Sequence, residues 1–170
     1  MKIAIFSDSH DNLPNIDEAL NIIATENITT IIHCGDVCMP ETLRHLAKHF
    51  SGTIHLTNGN SDDEHNLEQT KLPNVIFYGS VGSLPVDGKT MGWTHYPQTA
   101  RELANSGAYD IIFHGHTHQP GEGTVGEIKI VNPGTLGGGF ARPTFALYDT
   151  ATDTLELKIL YQKRDLRLKI

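Results

Sequence analysis

Seven side chains able to bind a metal ion stand in five short stretches of the sequence. They are Asp8 and His10 in SDSH, Asp36 in HCGD, Asn60 in NGN, His95 in WTH, and His116 and His118 in GHTH. Each stretch follows an apolar run that reads as a β-strand. Imidazole, carboxylate and amide oxygen together suit Mn, Fe, Co, Ni or Zn rather than calcium or an iron–sulfur cluster. Seven donors exceed what one tetrahedral zinc takes. Shared around a bridging aspartate they suit two ions roughly 3.5–4 Å apart. Asp36, directly after Gly35, is expected to be that bridge. Residues i and i+2 of an extended segment point the same way. On that basis Asp8 is expected to converge with His10, and His116 with His118. Two divalent ions would outweigh the charges of Asp8 and Asp36, and the resulting positive spot would attract a phosphate.

The elements that must position these donors can be read in order. KIAIF, with Ile3 to Phe6 apolar, predicts a buried strand. NLPNIDEALNIIATEN predicts a helix, with Asn12 as its cap, Pro14 in the first turn, and Ile16, Ala19, Leu20 and Ile23 on one face. TTIIHC, PETLRHLAKHF and TIHLT continue as strand, helix and strand. This alternation implies parallel strands with covering helices. VIFYG then leads to a hairpin turning at Asp87-Gly88, PQTARELANSGA to a helix ending near Gly107, and YDIIFH to another buried strand. From residue 122 onward, EGTVGEIKIVNP, TFALYD and TLELKILY read as antiparallel strands joined by turns. The fold class expected is α/β, with two packed mixed sheets flanked by helices. In open α/β sheets, ligands gather beyond the carboxyl ends of the strands, which is where all seven donors fall.

The bulk properties agree with such a protein. The 170 residues predict one domain spanning 1–170, and the 38% hydrophobic and 19% charged fractions are ordinary for a globular chain. No membrane-length apolar run or signal peptide is visible, so the expectation is a cytoplasmic protein with no membrane partner. A net charge of −7 argues against stable binding to a nucleic-acid duplex. Cys34 and Cys38, with His33, offer too few ligands for a second zinc site and read as reduced thiols.

Taken in order, SDSH, HCGD, NGN, WTH and GHTH resemble the calcineurin-like metallophosphoesterase superfamily, whose pattern is D-x-H, G-D, G-N, H and G-H-x-H. VNPGTLGG followed by Arg142 looks like its small, YfcE-like phosphodiesterase branch. The resemblance covers residue 3 to at least 150. It implies that Asp8, His10 and His118 hold one metal, that Asn60, His95 and His116 hold a second, and that Asp36 bridges them. Manganese is the first choice of ion, with Ni, Fe, Co or Zn as alternatives. The implied activity is hydrolysis of a small phosphodiester by a metal-activated hydroxide, with Asp36 and Asn60 among the catalytic residues. A homo-oligomer would be in keeping with it.

Two departures from that pattern matter. Relatives often have glycine after the histidine at position 95; here Tyr96 follows. Many also have histidine after the asparagine, to protonate the leaving group; here Ser61 follows Asn60, and serine is a poor acid at neutral pH. Asp62 is therefore the expected rival acid. His114 is expected to pack behind the site or to orient a ligand, and Arg142 either to contact phosphate or to form a surface ion pair. Trp93 and the remaining histidines read as structural. Two alternatives stay open: a phosphomonoesterase, and a non-catalytic interaction scaffold like the retromer subunit of the same fold.

Overall fold

A computed structural model describes residues 1–139 and 141–160. The chain runs β1 (Lys2–Phe6), α1 (Leu13–Thr25), β2 (Thr30–His33), α2 (Pro40–His49), β3 (Thr53–Leu56), α3 (Glu64–Gln69) and β4 (Val75–Phe77). It continues as β5 (Val81–Val86), β6 (Lys89–Thr94), α4 (Pro97–Asn105), β7 (Ile111–Phe113), β8 (Gly121–Val125), β9 (Ile128–Asn132), β10 (Thr144–Asp149) and β11 (Thr154–Ile159).

These strands form a six-stranded sheet, β11-β10-β1-β2-β3-β4, and a five-stranded sheet, β5-β6-β7-β9-β8. In the first, β1 to β4 are parallel and β10 and β11 are antiparallel additions. In the second, β6, β7 and β9 are parallel and β5 and β8 flank them antiparallel. The fold is α/β with two mixed sheets and flanking helices, as the residue pattern implies.

Side-chain alternation along β1 shows how the layers are built. Ala4 and Phe6 point to the helix layer, where they join Ile16, Ala19, Leu20 and Ile23 of α1 and Leu46 of α2. Ile3 and Ile5 point the other way and meet Met91, Trp93, Ile111 and Phe113 of the second sheet. α4 covers the far face of that sheet through Ala100 and Ala104 against Ile112. Burying each of these larger side chains contributes about 1.5–3 kcal/mol. The result is a rigid double sheet whose parallel strands aim their carboxyl ends at one edge.

Several elements differ from the sequence reading. β9 is not antiparallel throughout: it pairs antiparallel with β8 but parallel with β7. β10 returns to the first sheet beside β1. Long-range pairing of this kind depends on loop paths that local patterning does not encode. α3 is absent from the expected elements because six residues with one buried side chain, Leu67, carry too little periodicity. Tyr161, at the end of the expected last strand, lies outside the described residues.

Candidate metal centre

The five donor stretches converge. The carboxyl ends of β1, β2 and β3 bring Asp8, His10, Asp36 and Asn60; those of β6 and β7 bring His95, His116 and His118. On one side His118 Nε2 lies 3.2 Å from Asp8 Oδ1 and 3.1 Å from His10 Nε2. On the other, Asn60 Oδ1 lies 3.1 Å from His95 Nε2 and 2.8 Å from His116 Nδ1. Asp36 sits between the groups. Its Oδ2 is 3.6 Å from His10 Nε2 and 3.5 Å from His95 Nε2.

The donors are not extended, contrary to the i, i+2 expectation. Asp8, His10, Asp36, His116 and His118 all have positive φ, between 43° and 70°. These are left-handed turns, which side chains other than glycine enter at a cost. Such conformations gather at functional sites, where the surrounding structure enforces them. Glycines allow the turns to nest. A Cβ on Gly35, whose own φ is +98°, would stand 2.7 Å from the Gly59 nitrogen and 2.9 Å from His95 Nδ1. One on Gly59 would run into the Asp36 carboxylate, and one on Gly115 into the Ser7 hydroxyl and Asp8.

A set of residues not singled out as site residues holds this geometry. Ser7 Oγ donates to Asp8 Oδ2 at 2.5 Å, and the His116 N–H donates to both Asp8 oxygens. The VNPGTLGG loop clamps the Asp8 turn: the Thr135 hydroxyl and the Gly137 N–H both donate to the Asp8 carbonyl. Asn132 donates to the Gly115 carbonyl and to Thr117 Oγ1, fixing the GHTH loop. His95 Nδ1 meets the Cys34 carbonyl at 2.9 Å, so Nδ1 carries the proton and Nε2 faces the centre with a free lone pair.

Asp62, the rival acid, accepts with both oxygens from backbone N–H groups: Cys38 at 2.6 Å on one, Asp36 at 2.9 Å and Gly59 at 2.6 Å on the other. Burial raises its pKa, while these backbone bonds oppose the rise by favouring the carboxylate. Its oxygens tie the Asp36 and Asn60 loops together. The Ser61 N–H and hydroxyl donate to the two oxygens of Asp36, so Ser61 also orients the central carboxylate.

His114 is half-buried, and its Nδ1 donates to the Gly115 carbonyl. Burial lowers its pKa. With Arg101, Thr117 and Asn132 it lines a cavity of about 440 Å³ that none of the seven donors touches. Arg142 is exposed. Trp93 is wholly buried and packs against Tyr78, a structural role. Cys34 is buried, and Cys38 lies 3.4 Å from His10 Nδ1 with its thiol pushed up to about 12 by burial and neighbouring aspartates.

The donor set fits divalent ions. Two pairs of imidazole nitrogens approach at 3.1 and 3.3 Å beside buried carboxylates, an arrangement that calls for a cation. One donor atom from each of Asp8, His10 and His118 lies within 4.8 Å of the others, and the same holds for Asp8, Asp36 and His95. A double sheet that collects imidazoles and carboxylates at its strand ends is the architecture of a candidate metal-dependent hydrolase.

The chain belongs to the calcineurin-like phosphoesterase superfamily, whose domain matches residues 1–153. It is 35% identical over 158 residues to phosphodiesterase MJ0936 of Methanocaldococcus jannaschii, covering 88% of this chain and 93% of that protein. The solved structure of a novel archaeal phosphodiesterase aligns with a TM-score of 0.85 at 30% identity, over 94% of this chain and 100% of that one. The fold is shared more distantly with YfcE, a phosphoesterase from E. coli (TM-score 0.69, 18% identity, 95% and 100% covered). It is also shared with Vps29 of Chaetomium thermophilum (TM-score 0.70, 15% identity, 94% and 96% covered).

Proposed function

We propose that this chain is a binuclear phosphodiesterase, built as one domain and acting on a small diester. Asp8, His10 and His118 hold one ion, Asn60, His95 and His116 the other, and Asp36 is shared. The carrying observation is the central place of Asp36, 3.6 and 3.5 Å from a nitrogen of each group. Diester preference draws support from the 35% identical phosphodiesterase. Divalent ions held there, manganese first among them, supply Lewis acidity toward phosphoryl oxygens and a nucleophile at neutral pH.

The protein's own part is to fix the donors. Asp62 and Ser61 hold Asp36, the Thr135 loop holds Asp8, and the Cys34 carbonyl holds His95. Exposed His116 and Asn60 leave the centre open to a substrate. No imidazole occupies position 61 to protonate the leaving group, which favours esters with good leaving groups.

The test is turnover of mono- and diesters by metal-stripped protein reloaded with Mn²⁺, Ni²⁺, Mg²⁺ or Zn²⁺. Aryl diesters should be hydrolysed, and Asp36→Ala should lose well over ~100-fold in rate, beyond what disturbing a group behind a ligand costs. A loaded protein with one ion and Asp36 free of it would sink the binuclear assignment. No turnover of any ester with any ion would favour the interaction-scaffold reading, which the fold shared with Vps29 keeps in view. Equal rates on monoesters would favour a phosphomonoesterase.

A further inference from the structure

A second group of metal-binding side chains lies between α1 and α2, and none of the seven donors belongs to it. His45 and His49 stand four apart on α2, so their rings project from one face a turn apart. The ring centroids are 4.3 Å apart. Asp17 reaches across from α1, its Oδ1 2.6 Å from His45 Nε2. One donor atom from each of the three lies within 4.8 Å of the others.

We propose that Asp17, His45 and His49 form a surface site for a divalent transition-metal ion such as Zn²⁺, Ni²⁺ or Cu²⁺. Two imidazoles and one carboxylate suit these ions better than Mg²⁺ or Ca²⁺. The paired histidines use the same four-residue spacing by which helices present two imidazoles to zinc. His49 Nδ1 bonds to the His45 carbonyl at 2.9 Å, so that nitrogen carries the proton and Nε2 keeps its lone pair. The backbone under the donors is rigid. Ile16 beside Asp17 and Leu46 beside His45 are each 1% exposed and share one core cluster. The donors are therefore positioned in advance, which is what a metal site needs. The side chains of Asp17 and His45 are 50% and 24% exposed, so water can complete the coordination. An ion here would tie α1 to α2.

An exposed histidine–aspartate pair contributes little by itself, and binding by all three residues is what separates the proposal from that simpler arrangement. Wild type and the His45→Gln, His49→Gln double variant are equilibrated with Zn²⁺ and their bound metal counted. The variant should hold one ion fewer per chain, whatever number the strand-end centre holds, and should retain its phosphoesterase rate. Cu²⁺ bound to wild type should show two nitrogen ligands by electron paramagnetic resonance that the variant lacks. Asp17→Asn should weaken the extra ion's binding at least about tenfold. Equal stoichiometry in wild type and double variant overturns the site. An unchanged affinity in Asp17→Asn overturns the three-donor assignment.

Discussion

At residue scale the informative side chain is Asp62, because its three backbone bonds give it a holding task beside that of the rival acid. Asp62→Asn replaces one accepting oxygen with an amide facing N–H groups. It should cost about 1–3 kcal/mol and lower Tm by several degrees in a thermal melt. Its slope of rate against leaving-group pKa should match wild type; a steeper slope would return Asp62 to the role of acid. Ser61→His is the complementary variant. Protonation by a placed side chain typically adds about 10²–10⁴-fold, so alkyl diesters should gain more than aryl diesters if the ring reaches the leaving oxygen. That these seven side chains meet was legible in the sequence because metal chemistry restricts residue type and strand ends restrict place. The clamping bonds of Asp62 and Asn132 were not, because they reach backbone groups of other loops that only folding brings near. Thr135 reaches the Asp8 carbonyl across 127 residues.

At the scale of elements, the strands β1, β2, β3, β6 and β7 could be read from apolar runs, and their shared carboxyl-end direction from the alternation with helices. The return of β10 beside β1 could not, nor the left-handed turns that replace extended backbone at the donors. The turns make the glycines next to them matter for binding. Gly59→Ala would press a methyl group into Asp36. The variant should therefore lose metal affinity by more than its loss of stability explains, measured by titrating Mn²⁺ into folded protein. Normal affinity in a folded Gly59→Ala would show that Asp36 has room to move.

For the whole molecule, burial sets the response to acid. His33 lies fully buried beneath the centre, between the Ser9 hydroxyl and the Gly35 N–H. Burial lowers its pKa from 6.5 to about 3. Between those values the unfolded chain binds a proton that the folded chain refuses. Stability is then intact above about pH 6.5 and falls as the pH drops toward 3, by up to about 1.4 kcal/mol per pH unit for this one group. Buried His55 and half-buried His114 are lowered by burial too and act in the same direction. Chemical denaturation of metal-free protein from pH 7 to 4 should show this slope, and His33→Gln should flatten it. An unchanged slope in the variant would assign the acid sensitivity elsewhere.

The left-handed backbone at five of the seven donors has an evolutionary consequence. Each such residue other than glycine costs roughly 1–2 kcal/mol, so the metal-free fold carries the centre as a thermodynamic burden. Replacing exposed His116, at φ 70°, with glycine would relieve that strain while giving back about 0.5–1 kcal/mol of chain entropy. The variant's apo form should be as stable as wild type or more so, although its chemistry suffers. A lineage released from selection for hydrolysis would then lose this exposed donor at no cost to folding and keep an intact double sheet free to serve as a binding surface.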